Sequence, residues 1–176
     1  NMIVHKGRTI FVGDTSVHEY PTSDQMAEIA ISTARVVRLF GFDPKVAFVS
    51  HSTFGQPLTS RTKHIKEAVE ILKRKNVDFE FDGDMQPDVA LDVEYKNLYP
   101  FSKIVGNANI LIMPGQHSAA ISYKMIKSMS RAKVIGPLLI GLGLPIEIAP
   151  LRTSTSEILN LASIAAYSAD VIDYNK

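Results

Sequence analysis

The sequence predicts an α/β fold in which helices cover both faces of a mostly parallel sheet. Predicted strands and helices alternate along the 176 residues, and parallel strands need such crossover helices. No internal repeat or linker-like stretch interrupts the alternation, and 45% of the residues are apolar, which is enough for a sizeable core. Turn-forming and hydroxyl-bearing residues follow the predicted strands, and in such sheets ligands bind beyond the carboxyl ends of the strands.

The individual elements follow from local patterns. A strand is predicted at 8–14 and a helix after it, since Thr22 and Gln25 have the spacing of a capping box and Gly41 is placed to end the helix. In a later helix, Glu70 and Arg74 are expected to pair. The other predicted elements are strands at 45–50, 78–83, 108–114, 134–141 and 144–148, and helices at 60–75, 119–130 and 154 to about 169, the last with a buried stripe of Ile158, Leu161, Ala162 and Ala165.

The composition argues against several classes of function. The formal net charge is +1 and no long run of Lys and Arg occurs, so bulk electrostatic binding to nucleic acid or to a membrane is not expected. The chain has no cysteine, which excludes disulfides and thiol catalysis and fits a cytoplasmic protein. Gly and Pro break the apolar run at 134–151, which predicts short strands rather than a membrane helix. Because the chain begins with Asn1, we expect a piece of a longer protein.

One loop has the composition of a phosphate site. The segment "SHSTFG" follows the strand at 45–50, and its Ser50, Ser52, Thr53 and Gly55 could cradle a phosphate with hydroxyl and backbone N–H groups. An ordinary strand-to-helix loop explains the same residues equally well. Neither a Walker A loop nor a GxGxxG segment is present, so nucleotide binding through those motifs is not expected.

No metal site is predicted. Asp82, Asp84 and Asp88 lie close together in "DGDMQPD", but they lack the spacing of a calcium loop, and a turn with solvated carboxylates is the better interpretation. The five histidines are scattered, and no pair has metal-ligand spacing on a helix.

Two segments could bind an anion at a helix start. Ser118 lies near the start of one helix with Tyr123 and Lys124 one turn further, and Lys124 could reach an anion or simply face solvent. Ser154 and Glu157 have the spacing of a capping box at the start of the last helix. The cap accounts for both of those residues, whereas Arg152 remains available for a charge-assisted contact.

Several segments taken together resemble phosphate acetyltransferases. The blocks, in order, are "PTSDQMAEIAISTA", "FGFDPKVAFVSHSTFG", "DGDMQPDVAL", "ANILIMPGQHSAAISYKMI", "IGPLLIGLGLPIEI" and "TSTSEILNLASIAA". The resemblance implies a three-layer α/β/α fold like that of isocitrate dehydrogenase. Members of the family are about twice as long, so residues 1–150 would be the second domain and residues 151–176 a closing segment that returns to a first domain mostly absent here.

The variety that this chain resembles most is the acetyltransferase-like tail of hybrid bacterial malic enzymes, as "GDTSVHEYPTSDQMAEIA" and "AAISYK" suggest. This resemblance implies a domain that forms homodimers within a larger homo-oligomer and binds acetyl-CoA as an allosteric effector. NADP and a Mg or Mn ion would bind only to the malic enzyme part. The residues expected to contact acetyl-CoA are Ser118, Tyr123, Lys124, Gly136, Pro137, Arg152 and Ser154.

The chain departs from the family where catalysis needs polar groups. Active members carry Asn-Asp-Leu-Ser-Arg-Gly before the last helix, and here Pro150 and Leu151 occupy the Ser and Arg positions. Phe54 stands where the family has a lysine, so we predict no catalytic residues. Three hypotheses remain: a regulatory acetyl-CoA-binding domain, an active phosphate acetyltransferase in which Arg152 replaces the missing arginine, and a purely structural dimerisation module.

Overall fold

A computed structural model describes residues 1–56, 59–142 and 144–171 of the chain. Its centre is a six-stranded sheet in the order β4-β3-β5-β2-β1-β6. Strand β1 runs antiparallel to both of its neighbours, and the other five strands are parallel to one another. The strands are β1 (Met2–His5), β2 (Arg8–Gly13), β3 (Lys45–Val49), β4 (Glu80–Met85), β5 (Ile110–Ile112) and β6 (Lys133–Ile135). The predicted α/β class with a mostly parallel sheet is confirmed.

Helices cover the sheet on both faces and bury one core on each side. Phe11 of β2 packs with α1 and α2 in the first core, while its neighbour Val12 points to the second core with α3 and α5. This alternation follows from the two-residue period of a strand. The helices are α1 (Ser23–Leu39), α2 (Ser60–Lys75), α3 (Pro87–Leu91), α4 (Val93–Lys96), α5 (Gln116–Met129) and α6 (Thr155–Val171).

The first two helices form as their sequences predict. The Thr22 side chain accepts from the Gln25 N–H at 3.2 Å and the Gln25 side chain accepts from the Thr22 N–H at 2.8 Å, so the capping box of α1 is confirmed. Met26, Ile65 and Leu72 lie fully buried on the inward faces of α1 and α2. In α2, however, Glu70 pairs with Lys73 and not with Arg74.

Several other elements were missed or were predicted with the wrong boundaries. Strand β1 was missed because it has four residues and meets β2 through a tight Lys6-Gly7 turn, in which both residues have positive φ. The helices α3 and α4 were also missed. The strand predicted at 134–141 ends at Ile135, since Pro137 has no N–H for a ladder. The strand predicted at 144–148 is reduced to one bridge between Leu138 and Glu147.

The last helix exposes two of the four residues of its predicted buried stripe. Only Leu161 is buried, while Ile158 is 49% exposed and Ala162 is also exposed. Helix α6 packs against the first core through Ile164, and the Tyr167 hydroxyl donates to the Leu39 carbonyl at 3.0 Å. Ile158 and Leu159 remain exposed on this helix. No helix among the described residues is long and apolar enough to cross a bilayer.

The connections define a switch point between β2 and β5. Helix α1 leaves β2 on one face of the sheet, and α5 leaves the neighbouring β5 on the other face. Such a reversal opens a crevice at the carboxyl ends of the two strands, where open α/β sheets bind ligands. The loops after Gly13 and Ile112 are therefore the candidate ligand-binding region of this sheet.

Candidate functional site

The two loops at the switch point contact each other. The Gln116 N–H at the start of α5 donates to the His18 carbonyl at 3.1 Å. Gly115 lies so close to the Glu19 carbonyl that a Cβ there would approach the oxygen to 2.3 Å, which only glycine avoids. The loop after β2 and the loop after β5 therefore form one surface.

Asp14 orders the first of these loops. Its carboxylate accepts the backbone N–H groups of Ser16, Val17 and His18 at 3.2, 2.8 and 3.0 Å, and it contacts Nδ1 of His18 at 2.5 Å. Burial alone would raise the pKa of Asp14, but the bonds from Val17 and His18 outweigh it and lower the pKa. Asp14 is mostly buried while the His18 ring is 35% exposed, so a fixed carboxylate orients an accessible imidazole.

A shallow depression of about 620 Å³ lies on the other side of the same loop. Ser118 borders it together with His64 and His117. Nε2 of His117 lies 3.1 Å from a Glu19 carboxylate oxygen, and the His117 ring stacks on Tyr20 with centroids 6.4 Å apart. Ser118 is thus a predicted ligand contact that lies at the switch point.

The loop predicted to cradle phosphate uses its hydroxyl groups inside the protein. The Ser52 hydroxyl donates to the carboxyl group of Asp84, and both side chains are fully buried. Thr53 Oγ1 accepts from the Gln86 N–H at 3.2 Å. Ser50 is buried beside Ser52, and Gly55 has a positive φ of 83°. This placement favours the interpretation as a strand-to-helix loop, and phosphate binding there stays a prediction.

The start of α6 is occupied by the chain's own carboxylate. Glu157 Oε2 accepts from both the N–H and the hydroxyl of Ser154 at 2.8 Å, and the Glu157 N–H donates back at 3.3 Å, so this capping box is confirmed. Glu157 also pairs with Lys127 of α5 at 3.0 Å. The Ser154 N–H, then Lys127 and the Ser154 hydroxyl, lower the pKa of Glu157 to about 2. An external anion would have to displace this carboxylate.

The space beside this cap is small. The cavity has a volume of about 30 Å³, room for little more than one water. Gly136, Pro150 and Arg152 line it, whereas Leu151 projects fully into solvent. Arg152 therefore lies near the start of α6 as predicted. The positive N-terminal end of this helix, however, is already paired with the Glu157 carboxylate.

The remaining predicted contacts lie apart from these. Tyr123 packs against the second core, and the Lys124 ammonium lies 5.9 Å from the centroid of the Tyr123 ring. Pro137 lines a separate cavity with Asp14 and His18. The seven predicted acetyl-CoA contacts thus do not form one cluster in this chain.

The sequence prediction overlooked the ordered loop after β2. Asp14 follows the last residue of a buried strand, and a histidine comes four positions later, which is a pattern that could have been read as an oriented pair. Among the described residues, no group of three or more His, Cys, Asp and Glu side chains could hold a metal ion.

Comparison with known proteins gives consistent matches along the chain. The family model described as phosphate acetyl/butaryl transferase matches residues 1–166. An NADP-dependent malic enzyme of Rhizobium meliloti is 47% identical over 164 residues, which are 93% of this chain and 22% of that protein. A phosphate acetyltransferase of Clostridium acetobutylicum is 38% identical over 162 residues, which are 91% of this chain and 49% of that protein.

Solved structures agree with the sequence matches. A phosphotransacetylase from Streptococcus pyogenes superposes with a TM-score of 0.88 at 31% identity, covering 96% of this chain and 52% of that one. The EutD phosphotransacetylase from Staphylococcus aureus gives a TM-score of 0.87 at 27% identity, over 96% of this chain and 52% of that one. The chain spans about half the length of these relatives and about a fifth of the malic enzyme.

Proposed function

Because the chain belongs to the phosphate acetyl/butaryl transferase family, we propose that it is a non-catalytic member which binds acetyl-CoA and regulates a malic enzyme. The resemblance to the phosphate acetyltransferase-like region of malic enzymes is confirmed by the match to the Rhizobium meliloti protein. That the parent protein is itself a malic enzyme, with NADP and a Mg or Mn ion bound outside this chain, is part of the proposal.

The observation that carries the proposal is the chemistry of the closing segment. Pro150 has no hydroxyl and Leu151 no charge at the positions where active relatives are expected to carry Ser and Arg. Acyl transfer to phosphate needs oriented groups that hold the anion and stabilise developing charge. The Glu157 carboxylate at the start of the last helix is held by Ser154 and Lys127. Binding without turnover is therefore the function that these residues support best.

Self-association is the second part of the proposal. Helix α5 exposes Ile121, Met125 and Met129 at 57, 54 and 81%, and their spacing of four residues places them on one face. An exposed apolar stripe of this kind favours association of two copies of the domain. Analytical ultracentrifugation would test it. A Met125→Lys variant should dissociate into monomers, and an unchanged sedimentation coefficient would contradict the role of this face.

Thermal unfolding with and without acetyl-CoA tests the binding. A ligand at one hundred times its dissociation constant stabilises a protein by about 2.7 kcal/mol, which is about 5–10 °C for a domain of this size. We expect a saturable shift with acetyl-CoA and none with acetyl phosphate or NADP. Absence of a shift, both in this chain and in the longer protein that contains it, would contradict the proposal.

Two activity assays complete the test. No acetyl phosphate should form from acetyl-CoA and phosphate even at high protein concentration, and measurable turnover would favour an active acetyltransferase instead. In the longer protein, acetyl-CoA should change malate oxidation through a coupling free energy of about 1–3 kcal/mol. A protein that binds acetyl-CoA but oxidises malate at an unchanged rate would leave only the structural role.

A further inference from the structure

A groove runs along α1 where the segment after β6 crosses it. Two cavities of about 450 and 480 Å³ meet there and share Ser32, Val36 and the segment 138–140. Ile29, Leu39 and Leu138 contribute to walls that are mainly apolar. Cavities of this size and lining are typical of small-molecule sites.

One end of the groove offers a hydrogen-bond acceptor. His18 lines it, and because the Asp14 carboxylate can only accept, Nδ1 carries a proton in this contact; in the neutral imidazole Nε2 is then an acceptor. Among the described residues no Lys or Arg lines this end, whereas Asp14, Asp24 and Glu28 do, together with Asn1. An anionic group is therefore disfavoured here, and an uncharged chain that carries an N–H or O–H donor fits.

The second cavity offers a cation near its junction with the first. Arg35 lines this cavity between Ser32 and Val36, and among the described residues its guanidinium has no hydrogen-bond or ion-pair partner. Arg35 lies ten positions after Gln25 of the His18 end, a rise of about 15 Å along a helix. Glu147 also lines this end, but burial raises its pKa to about 7 against the opposing Leu139 N–H, so its repulsion of an anion is weakened near neutral pH.

A molecule that matches the groove must be long, largely uncharged, able to donate hydrogen bonds at one end and anionic at the other. We propose that the α1 groove binds a phosphopantetheine-type arm, with its amide-bearing chain toward His18 and its phosphate at Arg35. This inference rests on the proposed function, since acetyl-CoA carries such an arm, and it assigns the arm to residues that the family resemblance did not indicate.

Calorimetric titration with phosphopantetheine and with pantetheine, which lacks the phosphate, tests the two ends separately. Arg35→Gln should weaken phosphopantetheine binding about tenfold and leave pantetheine binding unchanged. Arg38→Gln, one turn further along α1 and paired with Asp78, is the matched control and should change neither. His18→Asn, which retains a donor for Asp14 but lacks Nε2, should weaken both ligands three- to tenfold.

Variants that fill the groove test the assignment of the arm independently. Val36→Phe should abolish binding of both probes, and Ile140→Trp provides a second block if the first variant does not fold, as judged by its thermal unfolding. A folded Val36→Phe or Ile140→Trp protein that binds phosphopantetheine like the wild type would overturn the assignment, as would a wild-type chain that binds neither probe at millimolar concentration. If acetyl-CoA binds both folded variants normally, the assignment of the arm to this groove is wrong, while the proposed binding of acetyl-CoA stands.

Discussion

Glu147 should make the stability of this domain depend on pH. Burial raises the pKa of its carboxyl group from 4.5 to about 7, and the Leu139 N–H only partly opposes this. The folded protein therefore keeps a proton that the unfolded chain releases, so the free energy of unfolding falls as pH rises from about 4.5 to 7. For a fully shielded group this change corresponds to about 3 kcal/mol. Since Glu147 is only partly buried, solvent screening reduces the expected loss to about 1–2 kcal/mol.

The Glu147→Gln variant isolates this effect. Glutamine does not ionise, so the variant should not lose this stability as the pH rises. Between pH 4.5 and pH 8, the free energy of unfolding of the variant minus that of the wild type should therefore increase by about 1–2 kcal/mol, or about 3–6 °C in Tm. Thermal unfolding of both proteins across this range gives the value as a difference of differences. The Asn1 amino group, whose pKa burial lowers from 8.0 to about 6 while Glu147 partly opposes this, has the opposite effect between about pH 6 and 8, so the difference of differences includes the coupling between the two groups. Identical pH profiles for the two proteins would refute the reasoning.

Three further outcomes follow from the packing and the caps. Leu72→Ala should destabilise the protein by about 2–5 kcal/mol in urea unfolding, because Leu72 is fully buried, whereas Leu159→Ala, 63% exposed, should change it by less than about 0.5 kcal/mol. Ser154→Ala should lower the free energy of unfolding by about 1 kcal/mol because it removes the cap of α6. Ser156→Ala, at an exposed position, is the control, and equal effects of the two substitutions would argue against the cap. Asp14→Asn should loosen the loop after β2, seen as faster amide exchange at Val17 and His18, and unchanged exchange would show that the carboxylate is not needed.

The sequence predicted those parts of the fold in which local signals and packing agree. The bounds of α2 and the cap of α1 came out as expected, because each combines a cap, a 3.6-residue apolar period and an inward face. The four residues of β1 offer too short a period to recognise. On α6 the period itself was present, but Ile158 stays exposed since periodicity does not tell whether a partner surface lies within the chain.

The candidate site was less predictable for a physical reason. Sequence motifs indicate which groups a loop contains, but not which of them the protein uses for itself. Ser52 looked like part of a phosphate site, and in the structure its hydroxyl serves a buried carboxyl contact. Ser154 lay at a predicted anion site, and in the structure Glu157 occupies that helix start as the cap its spacing predicted. The spacing of Asp14 and His18 was only a weak signal, and the accessibility of the His18 ring follows from the way in which Asp14 folds the loop.

Strand β1 has a consequence for the order in which the chain folds. It pairs with β2 at separations of only 3 to 9 positions, from His5 with Arg8 to Met2 with Phe11. Its other side pairs with β6, more than one hundred residues away along the chain. Such distant pairing forms late because a long loop must close first. We therefore expect β6 and the segment that carries the groove to join the sheet last and to exchange their amide protons fastest among the strands, which would leave this region open to ligands and partners while the rest of the sheet is already formed.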